Sequence, residues 1–173
     1  MLAGQPALTS FEAERLASRL RAIDAGVSAV EVSFLYLLQY TGELNLDRLG
    51  ELLDTSAANS AATSLWIASR VGTQSPWSSK ATDILHHTGF SNVHRIERAR
   101  VVDVTGARNL SVLAPALHDR MTESIFDSAD ELRLLFQDHH PKSLGSIDVL
   151  ARGAEAIEAA DRELGLSLAP QEI

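Results

Sequence analysis

Ser75, Ser78, Ser79, Lys80 and Thr82 gather hydroxyl groups and one ammonium within a single short segment. They follow a strand-like run, Ser64-Leu65-Trp66-Ile67-Ala68-Ser69, and open a helical one. Ser75 then Pro76 reads as an N-cap followed by the first helical position, where the missing N–H of proline is harmless. A cap at Ser78 or Ser79 fits nearly as well. Trp77, Ala81, Ile84, Leu85 and Thr88 then share one helix face, and Gly89 supplies the stop. Free backbone N–H groups at such a helix start, with hydroxyls and Lys80 beside them, suit an anion. A capped helix with a solvated lysine satisfies the same pattern, so both readings stand at this point.

Other chemistry finds less support. Six histidines are present, but His86 and His87 are adjacent on a helix and point about 100° apart. His139 and His140, beside Asp138 and before Pro141, read as solvated loop residues. There is no His-Glu-x-x-His pair and no cysteine, hence no thiolate ligand or thiol nucleophile. Gly-x-Ser-x-Gly is missing, and the run Gly72 to Lys80 lacks the second glycine of a Walker loop. No residue is therefore assigned to catalysis or to a metal. What remains is a charged cluster: Asp83, Arg95, Glu97, Arg98, His118, Asp119, Arg120 and Glu123. Arg95 and Arg98 lie in an expected strand, where guanidinium forks suit carboxylates. Asp119 and Glu123, four apart on an expected helix, are candidate acceptors. A structural ion-pair network or an inter-domain contact is the expectation, with direct substrate contact as the alternative.

The elements that must position these residues read as follows. Ser10 with Glu12 and Glu14 starts a helix whose face is Phe11, Leu16, Leu20 and Ile23, ending near Gly26. Val27 to Tyr40 is a strand, and Phe34-Leu35-Tyr36-Leu37-Leu38 is apolar on both faces, so it is covered twice. Leu46, Leu49, Leu52 and Leu53 give a short amphipathic helix, and Asp54 to Thr63 a loop. Asn92 to Val104 is a strand, followed by a turn at 105–109. Leu113, Leu117, Met121 and Ile125, flanked by Ala116 and Phe126, predict a second long helix, and Asp130 to Phe136 a short one. Gln137 to Ile147 is a polar boundary before a helix over Ala151 to Leu164. Pro170-Gln171-Glu172-Ile173 reads as a helix start without its helix, so a fragment of a longer chain is expected.

Composition bounds the class. The 173 residues allow one domain with a sizeable core plus an appendage. An apolar fraction of 45% fits a folded protein, and a net charge of −8 argues against a nucleic-acid or anionic-membrane surface. No apolar run nears the roughly 18–20 residues of a membrane span. Met1 to Pro6 lacks the basic start and apolar core of a signal peptide. A soluble, cytoplasmic protein is the expectation.

An internal repeat emerges. Gly26-Val27-Ser28-Ala29-Val30 aligns with Gly89-Phe90-Ser91-Asn92-Val93, and Thr41-Gly42-x-x-Asn45-Leu46 with Thr105-Gly106-x-x-Asn109-Leu110. Each copy reads helix, glycine, strand, turn, helix, and two such copies would bury one another's sheets about a pseudo-twofold axis. The expected class is α+β, an antiparallel sheet with helices on one side.

The string Arg70-x-Gly-Thr-x-Ser-Pro-Trp-Ser-Ser-Lys-Ala-Thr-Asp-Ile84 resembles the signature near the N-terminus of large-type phosphoribosylformylglycinamidine synthase. The likeness continues in Val93-His94-Arg95-Ile96-Glu97-Arg98, in Leu117 to Glu123, in Ser146 to Leu150 and in Leu164 to Leu168. His87-Thr88 departs from the Asn-Cys usual there. The resemblance implies residues 1–140 as an N-terminal domain like two fused copies of a PurS-type small subunit, with the repeat at about 1–63 and 64–136. It implies 141–173 as the start of a linker to a synthetase core. That enzyme amidates formylglycinamide ribonucleotide using ATP, magnesium and glutamine, none of which this segment would bind. The segment would hold the synthetase and glutaminase domains in register and help wall the ammonia path. Pro76, Trp77, Ser78, Ser79, Lys80, Thr82, Asp83, Arg95, Arg98, His118, Arg120 and Glu123 are its candidate substrate or interface residues. A freestanding phosphate or small-ligand module, or a self-associating regulator, is the competing expectation.

Overall fold

A computed structural model describes residues 1–55, 64–137 and 143–173. The chain forms two units, Met1–Asp138 and His139–Ile173. The expected loop over Asp54–Thr63 and the Asp138-His139-His140-Pro141 boundary lie largely outside the described residues.

In the first unit the order is β1 (Leu2–Pro6), α1 (Ser10–Arg21), β2 (Ala29–Tyr40), α2 (Leu46–Leu53), β3 (Ser64–Ser69), α3 (Pro76–His87), β4 (Val93–Thr105), α4 (Leu110–Leu117) and β5 (Glu123–Phe126). A 3-10 helix over Ala129–Phe136 follows. The five strands make one antiparallel sheet in the order β1-β2-β4-β3-β5. The fold is therefore α+β.

The long β2–β4 ladder, from Ala29 opposite Thr105 to Leu38 opposite Ile96, is the spine. Because side chains alternate along a strand, Val30, Val32, Tyr36 and Leu38 face one side with Ile96, Val102 and Val104. On that side Ala17 and Leu20 of α1 and Leu113 and Leu117 of α4 bury against Val30, Val32 and Val102, and Leu49 of α2 and Leu85 of α3 against Val93 and Ile96. Leu35, Leu37, Ala99 and Trp66 face the other side, where Leu132 and Leu135 of the 3-10 helix cover them with Phe126. None of Phe34 to Leu38 is exposed, so both faces are covered there as expected.

Helix α1 starts at Ser10, as expected, and Thr9 caps it: the Thr9 hydroxyl accepts from the Glu12 N–H while the Glu12 carboxylate accepts from the Thr9 N–H, a reciprocal capping box. Several expectations are corrected. The buried stripe of α1 is Ala17 and Leu20, leaving Phe11 74% and Ile23 47% exposed. In α2, Leu46 and Leu52 are likewise exposed. The long helix expected from Leu113 to Phe126 ends at Leu117, and Glu123–Phe126 pair with β3 instead, Trp66 opposite Phe126. There, sheet hydrogen bonds and burial of Phe126 outweigh helical periodicity. In the second unit the helix expected over 151–164 is divided at Gly153 into α5 (Val149–Arg152) and α6 (Ala154–Leu164).

Asp24 ties the turn before β2 to the turn after β4, at one end of the spine. Its carboxylate accepts from the backbone N–H of Arg108 at 2.7 Å and of Gly26 at 2.9 Å. Those bonds, the Arg108 one foremost, hold its pKa below the ordinary 3.8. A carboxylate depressed in the folded state stabilises the fold above its unfolded pKa, and that contribution disappears as pH falls through the folded value. Urea unfolding midpoints followed from pH 5 downward are expected to fall less steeply for Asp24→Asn than for the parent chain below about pH 4. Parallel curves would refute the assignment.

Candidate functional site

The segment singled out in the sequence folds as expected at its start. Ser75 caps α3, its Oγ accepting from the Ser78 N–H at 3.0 Å, and Pro76 occupies the first turn. The anion that this helix start attracts is one of the protein's own groups. Glu97, 0% exposed, accepts from Ser75 Oγ at 2.9 Å and from the Ser75 N–H at 3.4 Å. Arg95 donates to the same carboxylate at 2.6 Å and to the Thr73 carbonyl at 2.8 Å, with its guanidinium 5.4 Å from the Phe136 ring centre. Positive helix-end dipole, capping hydroxyl and guanidinium thus meet one buried carboxylate.

The other polar groups of the segment are also turned inward. Ser78 is 0% exposed and takes a hydrogen bond from Gln74, and the Thr82 hydroxyl accepts from the Ile96 N–H at 3.2 Å. The Thr82 bond fastens α3 to β4, and the Gln74 bond ties the preceding loop to the helix start. Ser79, Lys80 and Asp83 point to solvent, Asp83 lying 3.6 Å from His87. Pro76 is exposed. The buried stripe is Ser78, Thr82 and Leu85, with Trp77 and Ala81 half-buried and Ile84 50% exposed.

On the helix-covered side of the sheet, between the loop 70–75 and the α4–β5 turn, a cleft of about 460 Å³ opens. Its floor is Phe34 of β2 with Arg98 and Arg100 of β4, and Trp77 forms one wall. Trp77 stacks on Tyr36, ring centres 5.9 Å apart and 18° from parallel. Arg98 lies 4.3 Å from the Phe34 ring centre and 4.8 Å from that of Trp77. Arg100 holds Glu123 through one nitrogen at 2.8 and 2.7 Å from its two oxygens.

The expected arginine partners are thereby corrected. Arg95 and Arg98, three apart in a strand, point to opposite faces. Arg95 takes Glu97, Arg98 takes aromatic rings, and Glu123 receives Arg100. Asp119 is not on a helix; its backbone N–H donates to Glu123 at 2.9 Å. His118 ends α4 with its Nδ1 2.8 Å from the Ala114 carbonyl, and Arg120 is exposed in the turn. The structure thus brings Trp77, Arg98 and Glu123 into one cleft, with Arg95 on the far face beside Glu97. Phe34 and Arg100 line the same cleft, Tyr36 backs Trp77, and none of the three was singled out by sequence. Their signal was present, since residues two apart in each strand share a face and antiparallel register sets Tyr36 opposite Arg98.

Comparison with known protein families matches residues 31–136 to the formylglycinamide ribonucleotide amidotransferase N-terminal family. The chain belongs to that family. It is thus a domain of the amidotransferase of purine biosynthesis, phosphoribosylformylglycinamidine synthase. The matched stretch runs from β2 through the 3-10 helix, so the spine, the Glu97 pocket and the cleft all fall within what defines this amidotransferase domain. No helix of the described residues is long and apolar enough to cross a membrane.

Proposed function

We propose that this domain is a docking scaffold: it sets α3 and the Arg98 cleft at a fixed angle for the synthetase and glutaminase domains of the same enzyme, and helps wall the ammonia path. One observation carries the reading. The signature Arg70–Ile84 uses its buried polar groups internally, Ser75 on Glu97, Ser78 on Gln74 and Ser75, and Thr82 on Ile96. A phosphate-binding corner would keep those donors free, whereas a rigid docking helix needs them engaged. Pro76, Ser79, Lys80 and Asp83 then form the outward face of α3 offered to a neighbouring domain. Among the described residues no three His, Asp or Glu side chains converge as a metal site. In this proposal ATP and magnesium belong to the rest of the enzyme.

The reading of 1–140 as two fused PurS-like halves is supported by the element order, β-α-β-α twice, and by the register. Leu35 faces Ala99, 64 positions later, near the middle of the β2–β4 ladder. A twofold axis there would carry each half onto the other. In the same reading the second unit begins the linker to the core.

Isothermal titration tests the docking role. The chain is expected to bind the separately expressed remainder of the enzyme with micromolar or tighter affinity and to give no heat with inorganic phosphate. The reverse result, or a stable dimer of the chain alone in light scattering, would replace the scaffold with a ligand module or a self-associating regulator. In the intact enzyme, Trp77→Ala removes the stack on Tyr36 and the contact with Arg98. It is expected to raise glutamine hydrolysis relative to amidine formation several-fold; an unchanged ratio would count against the scaffold.

A further inference from the structure

Arg98 differs from the other two arginines that β4 sends into the charged groups. Arg95 has Glu97 and Arg100 has Glu123. Among the described residues no carboxylate and no hydrogen-bond acceptor meets the Arg98 guanidinium, which is exposed between Phe34 and Trp77. Rings of this kind hold a guanidinium in place without neutralising it. The charge balance of the cleft follows: Arg70, Arg98 and Arg100 against Glu123 alone, in a chain whose net charge is −8. A second polar group is unsatisfied there. Ser69 lines the cleft, and its Oγ, shut off from solvent behind that wall, has no hydrogen-bond partner among the described residues. Buried hydroxyls seldom go unpaired without a reason.

We infer that the Arg98 cleft receives the carboxylate of an Asp or Glu side chain presented by another domain of the amidotransferase. The proposal rests on the docking role above and names the chemistry of its contact. Three features select a protein carboxylate over a phosphate. Both neighbouring arginines of the strand already hold carboxylates. The backbone N–H groups that phosphate favours are engaged nearby, since Ser75 N–H and the α3 cap serve Glu97 and Ser78. Met121, 76% exposed, lines the cleft with Phe34, Pro76 and Trp77 and offers apolar contact to the stem of an incoming side chain. The fork of a guanidinium fixed by two rings loses little freedom on pairing, so replacement by lysine is not conservative.

The test uses the whole chain carrying Trp66→Phe, which leaves Trp77 as sole tryptophan reporter. The probes are immobilised pentapeptides Xaa-Xaa-Glu-Xaa-Xaa and their Xaa-Xaa-Gln-Xaa-Xaa counterparts, followed by titration of the best pair and of inorganic phosphate against Trp77 emission. Glutamate peptides are expected to bind at least tenfold more strongly than their glutamine counterparts. Arg98→Lys should weaken that binding about tenfold and Arg98→Gln should abolish it, with the native far-ultraviolet circular dichroism spectrum retained. Equal binding of the two series, binding that survives Arg98→Gln, or a Trp77 response to phosphate at lower concentration than to the glutamate peptide would each overturn the proposal. Binding of the separately expressed core by an Arg98→Gln chain as tightly as by the parent would overturn it too, while sparing the docking role. Selective glutamate-peptide binding in a chain that never binds the core would sustain the carboxylate cleft and refute the docking role instead.

Discussion

Glu97→Ala is expected to lower the unfolding free energy by roughly 3–5 kcal/mol, the range found when one partner of a buried pair is removed. The carboxylate is 0% exposed and three groups converge on it: the Arg95 guanidinium, the Ser75 hydroxyl and the Ser75 N–H. Alanine leaves the Arg95 side chain, only 19% exposed, beside an unfilled space, and takes from Ser75 the acceptor of its hydroxyl proton. The α3 cap weakens in consequence. Glu97→Gln keeps the volume and some hydrogen bonding, so it should fall nearer 1–3 kcal/mol. Urea unfolding followed by far-ultraviolet circular dichroism measures both, and a double variant with Arg95→Ala should be destabilised by less than the two single changes added together. A loss below about 1 kcal/mol for Glu97→Ala would mean that the pair contributes no more than an exposed one.

Gly106→Ala is the second large effect. Gly106 sits at φ +82, and an added Cβ would stand 2.2 Å from the Gly26 carbonyl oxygen, in a turn where Gly26 in turn abuts the Gly106 carbonyl. Left-handed backbone costs an alanine about 1–2 kcal/mol. Displacing a backbone carbonyl that is fixed by neighbouring ladder bonds adds about 1–3 kcal/mol. A loss of roughly 2–5 kcal/mol is expected from the two together. Gly42, at φ +70 with open space around it, provides the control. Gly42→Ala carries the backbone term alone and should cost about 1–2 kcal/mol by the same denaturation assay. Equal losses at the two glycines would show that the close approach of the two turns is not held firmly.

These two sites mark where sequence reasoning reached and where it stopped. The bounds of α3 were legible because cap, proline and stopping glycine all lie within fifteen residues and agree; its buried face was not, since Ser78 and Thr82 turn inward while Ile84 is half exposed. The start of α1 at Ser10 was equally local, with Glu12 and Glu14 in the first turn and Thr9 supplying the cap before it. β5 was not legible: four residues that extend a helical spacing from Leu113 carry no sign that β3 will claim them. The partner of each arginine was half legible. An interval of three along a strand places Arg95 and Arg98 on opposite faces, and an interval of two sets Glu97 beside Arg95. That Glu97 would also cap the α3 start depends on β3 ending at Ser69, which lets the 70–75 loop run alongside β4.

The five residues of β1 have a practical consequence for handling the protein. They pair with β2 along Ser33–Tyr36, the outer margin of the sheet's most apolar stretch. Stripped of that sheath, β2 would offer unpaired amides beside Phe34 and Tyr36, a template onto which a second chain can zip. Removal of the first half-dozen residues is expected to raise the mass of the chain seen in light scattering, as exposed β2 edges pair between copies.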